Sequence, residues 1–188
     1  VPESIRIGIV GAESTGKTTL ASALASRLAQ DTCMRVAWVP EVLREWCDRA
    51  GRTPQAHEQA AILHAQHERI EAAAAVHEVV VCDTTALMTA VYSRLIFDDR
   101  SLDERAMALH SGMALTLLTA LDLPWVADGH QRDGEQVRAP VDTLLRELLL
   151  AQRWPWAVIG GTGAARLQQA VNAVLPLLRP HAAAGSNR

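Results

Sequence analysis

Residues 11–18 read Gly-Ala-Glu-Ser-Thr-Gly-Lys-Thr and fill every fixed position of the pattern G-x-x-x-x-G-K-[ST]. The flanks match what such a loop needs. Ile5-Arg6-Ile7-Gly8-Ile9-Val10 is a short apolar run suited to a buried strand. Thr19 to Leu28 carries apolar residues at helical spacing. Glycines let the backbone wrap a phosphate, and the amides at the start of the following helix point at the anion. The segment therefore predicts a nucleoside triphosphate site made of Gly11, Ala12, Glu13, Ser14, Thr15, Gly16, Lys17, Thr18 and Thr19. Lys17 would neutralise the β- and γ-phosphates, and the Thr18 hydroxyl would hold Mg²⁺.

A loop of this kind belongs between a strand and a helix of a parallel sheet, and the remaining chain has that alternation. Further strands are predicted at 35–39, 79–82, 114–118 and 157–159. Helices are predicted at 17–30, 41–50, 55–76, 84–96, 101–111, 140–152 and 163–178. Pro54 suits the first position of the third helix. Ser101 and Glu104 have the spacing of a capping box. The alternation argues for an α/β fold with a parallel sheet covered on both faces and right-handed crossovers. One domain is expected over 1–179. Residues 124–140 are rich in Pro, Gly and charge without apolar period and read as a lid, and 180–188 as a flexible tail.

Bulk properties narrow the class. The 188 residues are 49% hydrophobic, with a net charge of −3 and a pI near 6.2, so no global field favours nucleic acid. No apolar run is long enough to span a membrane. The N-terminus runs almost directly into a predicted strand, so no signal peptide is expected. Cys33, Cys47 and Cys82 form no paired motif, which fits a reducing cytoplasm. Cys82 reads as a small buried hydrophobe.

Several residues have chemistry to offer. Asp83 ends the apolar run Val79-Val80-Val81-Cys82, where open α/β sheets bind ligands. It is either a holder of the Mg²⁺ water shell or an N-cap of the next helix. Glu41, after the second strand, either accepts a hydroxyl proton, binds sugar hydroxyls, or is a helix-start acid paired with its neighbours. Arg44 is a candidate for stabilising transferring phosphate. Arg132 and Arg138 lie in the lid, where an arginine can cancel developing charge. Trp125 and Asp128 occur in Pro124-Trp125-Val126-Ala127-Asp128-Gly129. Trp125 either stacks on a planar or cationic heterocycle or anchors the loop. Trp46, Tyr92 and Trp125 are expected around the acceptor pocket. His57, His64, His67 and His77 read as a solvated polar face rather than a metal site.

Taken in order, these segments resemble the ribosylnicotinamide kinase domain of the NadR family. The resemblance rests on residues 11–20, on Pro-Glu-x-x-Arg-Glu at 40–45, on Asp83-Thr84, on Leu117-Leu118-Thr119, and on Leu123-Pro124-Trp125-Val126-x-Asp128-Gly129-x-x-Arg132. It runs from about residue 5 to 175. It implies a three-layer P-loop NTPase fold of nucleoside-kinase type, with a five-stranded parallel sheet ordered 2-3-1-4-5. It implies transfer of phosphate from ATP, with Mg²⁺, to the 5′-hydroxyl of nicotinamide riboside. Lys17, Asp83, Glu41 and Arg132 would then be catalytic. Glu41, Arg44, Trp46, Tyr92, Trp125, Asp128 and Arg138 would be substrate-binding, and Thr18 and Asp83 would hold Mg²⁺. Whether Asp83 or Glu41 is the base stays open at this point. So do a kinase for another hydroxylated metabolite and a regulatory ATPase. A small-molecule partner is expected, and neither nucleic acid nor membrane.

Overall fold

The computed structural model describes residues 4–126 and 134–184. Five β-branched or apolar runs form parallel strands: β1 (Ile5–Val10), β2 (Val36–Val39), β3 (Val79–Asp83), β4 (Leu115–Thr119) and β5 (Trp156–Ile159). They pair in the order β2-β3-β1-β4-β5, as the family resemblance implies. Every residue of β3 and β4 is buried, whereas β2 and β5, at the edges, are partly covered. This is the burial expected of a parallel sheet with helices on both faces.

Seven helices supply the cover: α1 (Lys17–Asp31), α2 (Val42–Ala50), α3 (Gln59–Ala74), α4 (Ala86–Phe97), α5 (Asp103–His110), α6 (Arg138–Ala151) and α7 (Gly163–Ala184). Side chains alternate along a strand, so Ile5, Ile7 and Ile9 share one face of β1. They pack with Leu20, Leu24 and Leu28 of α1 and Val171 and Val174 of α7. Val10 turns to the opposite face and meets Leu87 and Val91 of α4 and Val141, Leu145 and Leu149 of α6. Ile70 of α3 covers Val80 and Cys82 on the β3 side of that face. Cys82 is fully buried and its thiol is pushed up to about 12 by burial, so it behaves as the small hydrophobe expected. Helix α5 forms an outer layer, with Ala106 against Ala86 and Ala90 of α4.

Local signals near helix starts are where sequence and structure part. The predicted helix at 55–76 divides into a 3₁₀ turn (Ala56–Glu58) and α3, and Pro54 precedes the turn rather than opening a helix. Gln55 and Glu58 form the capping box there. Ser101 and Glu104 do not form one. Helix α5 starts two residues later than expected, with Leu102 at the N-cap, and the Ser101 amide donates to Asp99 Oδ1 at 2.8 Å. The Asp99 carboxylate competes successfully for the turn. The end of the expected lid, residues 134–140, carries a 3₁₀ turn (Glu135–Val137) leading into α6 at Arg138. Residues 127–133 of that segment lie outside the described residues.

One buried polar cluster connects the core to the ligand edge of the sheet. His110, 1% exposed, lies within 2.9 Å of Thr85 Oγ1 through Nδ1 and 2.8 Å of Thr116 Oγ1 through Nε2. Trp154 covers the ring at a centroid distance of 4.7 Å. A neutral imidazole satisfies both threonines, donating to one and accepting from the other. Burial holds the His110 pKa down at about 4. Gly8 permits this packing, because a Cβ there would lie 2.9 Å from the Thr85 methyl.

The unfolded chain takes up the His110 proton near pH 6.5 and the folded chain only near 4, so folding loses stability on acidification through that window. The loss is on the order of 3 kcal/mol. Urea unfolding from pH 7 to 4 is expected to show it, and His110→Gln to show a flatter profile over the same interval.

Candidate nucleotide and acceptor cleft

The fold delivers the candidate residues to the carboxyl edge of the sheet. The loop at 11–18 joins β1 to α1, and Asp83 ends the neighbouring β3. Ile9 and Asp83 are register partners, and the Thr84 amide donates to the Ile9 carbonyl at 3.0 Å. The phosphate loop and the carboxylate therefore belong to one hydrogen-bonded ladder. Between β1 and β3 the chain reverses the direction in which it adds strands, the position where such sheets bind ligands.

The loop keeps its donors for a guest. Gly16 caps α1 in a left-handed conformation (φ 74°), with no side-chain cap. Among the described residues the amides of Ser14, Thr15, Gly16 and Thr18 donate no hydrogen bond. Lys17 Nζ donates to the Ala12 carbonyl at 2.9 Å, folded back over the loop. Gly11 needs its missing Cβ: its φ is 151°, and a Cβ would collide with Thr119 Oγ1.

Side chains hold the loop in place of its own amides. Thr15 Oγ1 donates to the Ala12 carbonyl at 2.7 Å and lies 2.7 Å from Thr119 Oγ1. Arg166, 5% exposed, donates through Nη2 to the Thr15 carbonyl at 2.6 Å. Its Nη1 reaches the Gly161 carbonyl at 2.9 Å and Asp122 Oδ1 at 3.1 Å. One guanidinium thus ties together the phosphate loop and the segments following β4 and β5. Ser14 Oγ adds a bond to the Val126 carbonyl at 2.7 Å, on the approach to the lid.

Asp83 is 1% exposed, and neither carboxylate oxygen has a hydrogen-bond partner. Burial pushes its carboxyl above its ordinary pKa; the Thr18 hydroxyl and the Lys17 and Arg44 charges pull the other way. The N-cap of α4 is Thr85, whose Oγ1 accepts from the Leu87 amide at 3.3 Å. The alternative reading of Asp83 as that cap does not hold. A buried acceptor pair with no donor, beside a threonine hydroxyl, suits a hard cation with oxygen ligands. Among the described residues no cluster of three or more His, Cys, Asp or Glu forms a metal site, so this position differs from an all-protein cage.

A cleft of about 880 Å³ opens over the loop and extends between α2, α3 and α4. Glu13 to Thr19 line one end, above the buried Gly11 and Ala12. Glu41 and Arg44 line it from α2's start, and Tyr92 from α4. Leu43, Ile62, Met88 and Phe97 add apolar surface away from the loop, beside the polar Gln59, Gln66 and Thr89. Trp46 is elsewhere, with the Arg52 guanidinium 5.0 Å from its ring centroid. Trp125 does not line the cleft either, although Pro124 and Val126 on either side do, and its buried Nε1 has no partner. Arg138 is buried at the first position of α6 and donates to the Leu123 carbonyl at 2.8 Å. Asp128 and Arg132 lie outside the described residues. His110, Arg166, and Gln59 and Gln66 of α3 carry no sequence signal, and Thr119 is marked only as part of Leu117-Leu118-Thr119.

Comparison with known proteins agrees with this architecture. No curated protein matches the chain. Among solved structures, the NadR protein in complex with NR superposes with a TM-score of 0.73 at 21% identity, over 92% of this chain. This chain spans half the length of that NadR chain. Thymidylate kinase from Ehrlichia chaffeensis superposes at 0.63 and 16% identity, over 94% of this chain and all of its own. Deoxyadenosine kinase from M. mycoides with bound dCTP gives 0.59 and 12%, over 92% and 100%. The fold is that of P-loop nucleoside and nucleotide kinases. A family model described as AAA domain matches residues 6–166, and the chain belongs to that family.

Proposed function

We propose that this chain is an ATP-dependent small-molecule kinase whose acceptor is nicotinamide riboside, phosphorylated on the 5′-hydroxyl. The observation that carries the reading is the single cleft that joins an open phosphate loop to a partly apolar recess. A nucleotide switch needs only the first end, and a bimolecular transfer needs both. The likeness in fold to the NadR protein in complex with NR, and the motifs at 40–45 and 123–132, favour the riboside among acceptors.

The chemistry divides among the residues by position. The amides of 14–18 and Lys17 hold the ATP phosphates, which asks Lys17 to leave the Ala12 carbonyl for the ligand. Thr18 and Asp83 would hold Mg²⁺, which when bound screens charge on the β- and γ-phosphates. Asp83 is 1% exposed and Glu41 lines the cleft, which supports assigning the acceptor proton to Glu41. The acceptor oxygen attacks the γ-phosphorus, the bond to the bridging oxygen breaks, and ADP leaves. Arg44 lines the same cleft and supplies positive charge toward the transferring group. Arg132 would add to it from the lid.

Purified protein with MgATP is expected to convert nicotinamide riboside to nicotinamide mononucleotide, followed by chromatography of the products. Equal rates with unrelated nucleosides would reject the acceptor, and ATP hydrolysis indifferent to every nucleoside would favour a nucleotide switch. Lys17→Ala is expected to lower kcat/KM by at least about 10²-fold, the scale of losing one preorganised donor. Asp83→Asn is expected to lose activity on the same scale, about 10²-fold. Its thermal midpoint without ligand should not fall, because burial costs this carboxylate more than the Thr18 hydroxyl and the Lys17 and Arg44 charges return. A destabilised but active Asp83→Asn enzyme would remove Asp83 from the cation site.

A further inference from the structure

The cleft is lined by an amide that the fold leaves unused. Gln59 opens α3, lines the cleft, and has 5% of its surface exposed. Among the described residues its side-chain amide has no hydrogen-bond partner. Gln66 lies seven residues on, two turns along the same helix face, and provides the contrast. Its Oε1 accepts from the Val42 amide at 2.8 Å and its Nε2 donates to the Pro40 carbonyl at 3.4 Å. Gln66 therefore holds the turn that presents Glu41, and Gln59 holds nothing. Ile62 stands between them on the cleft wall.

An amide that lines a cleft and is engaged by no protein group is open to a ligand that enters it. A primary amide offers a donor beside an acceptor in one plane. Its complement is a planar group with an acceptor beside a donor: a carboxamide, or the amide or amino edge of a nucleobase. A carboxylate presents acceptors only and fits half of it. Leu43, Met88 and Phe97 give the cleft the apolar surface on which such a ring lies. Resting on the kinase reading above, we propose that Gln59 determines acceptor specificity by pairing with the carboxamide or amide-like edge of the riboside's heterocycle.

The test compares kcat/KM for nicotinamide riboside and for ribosylpyridinium, the same cation without its carboxamide, in wild type and Gln59→Leu. Wild type is expected to prefer nicotinamide riboside, and Gln59→Leu to cut that preference by about 10²-fold. The thermal midpoint of the unliganded variant should stay level or rise, since no protein hydrogen bond is lost. An unchanged preference overturns the proposal. So does a lower midpoint with equal loss on both substrates, which would mark Gln59 as a structural residue. If wild type phosphorylates neither pyridinium riboside, the nicotinamide reading fails on its own. The same pair of proteins then meets adenosine and purine riboside, which differ by the exocyclic amine. A reduced preference for adenosine in Gln59→Leu sustains the Gln59 assignment, and a constant one overturns it. No turnover of any of the four rejects both.

Discussion

A loop that reserves its backbone amides for an anion cannot use them to hold its own shape. In this chain the task passes to side chains anchored elsewhere. The Thr15 and Thr119 hydroxyls meet at 2.7 Å, and Arg166 fixes the Thr15 carbonyl from α7. The guanidinium is almost wholly buried, yet its three contacts are with two carbonyls and a carboxylate that also need partners. Its desolvation is thereby offset, and three loops from distant parts of the sequence acquire one geometry. The hydrophobic layers on either face of the sheet set where these loops emerge. The polar contacts set their conformation.

The same edge of the sheet concentrates features that cost stability. Asp83 is buried without a donor, and Thr84 has φ 69°, a left-handed conformation unfavourable to a β-branched residue. The Thr84 amide is tied to Ile9, and the Thr85 hydroxyl is held by His110. The turn is over-determined from both sides, which is how a strained backbone persists. His110 acts through Thr85 and remains neutral because it is buried, so the turn rests on a group whose protonation would break one of its two bonds.

The strands, the phosphate loop and the carboxylates at the strand ends were legible because their signals are local. Gly11 to Thr18 is contiguous, Asp83 ends a run of valines, and Glu41 follows a strand. Helix starts were less legible, because short polar side chains compete for the same orphan amides; Asp99 prevailed over Ser101, and Gln55 caps where Pro54 was expected to begin. Gln59, His110 and Arg166 have no local signature at all. Arg166 meets Thr15 across 151 residues, and His110 meets Thr85 across 25. The aromatic expectations suffered for the same reason. Trp46 lies on a short helix whose apolar stripe is narrow, and its ring is covered by Arg52 rather than turned into the cleft.

The two ends of the cleft are built from different materials. The phosphate loop and Asp83 extend strands β1 and β3, which share a ladder of backbone hydrogen bonds that is indifferent to side-chain identity. The end of the cleft away from the loop is lined by side chains of α2, α3 and α4, positioned by contacts such as Gln66 to the Pro40–Val42 turn. Substitutions can accumulate on those helix faces without shifting the ladder. Side chains there can change, and with them the shape of that wall of the cleft, while the loop and Asp83 keep their geometry.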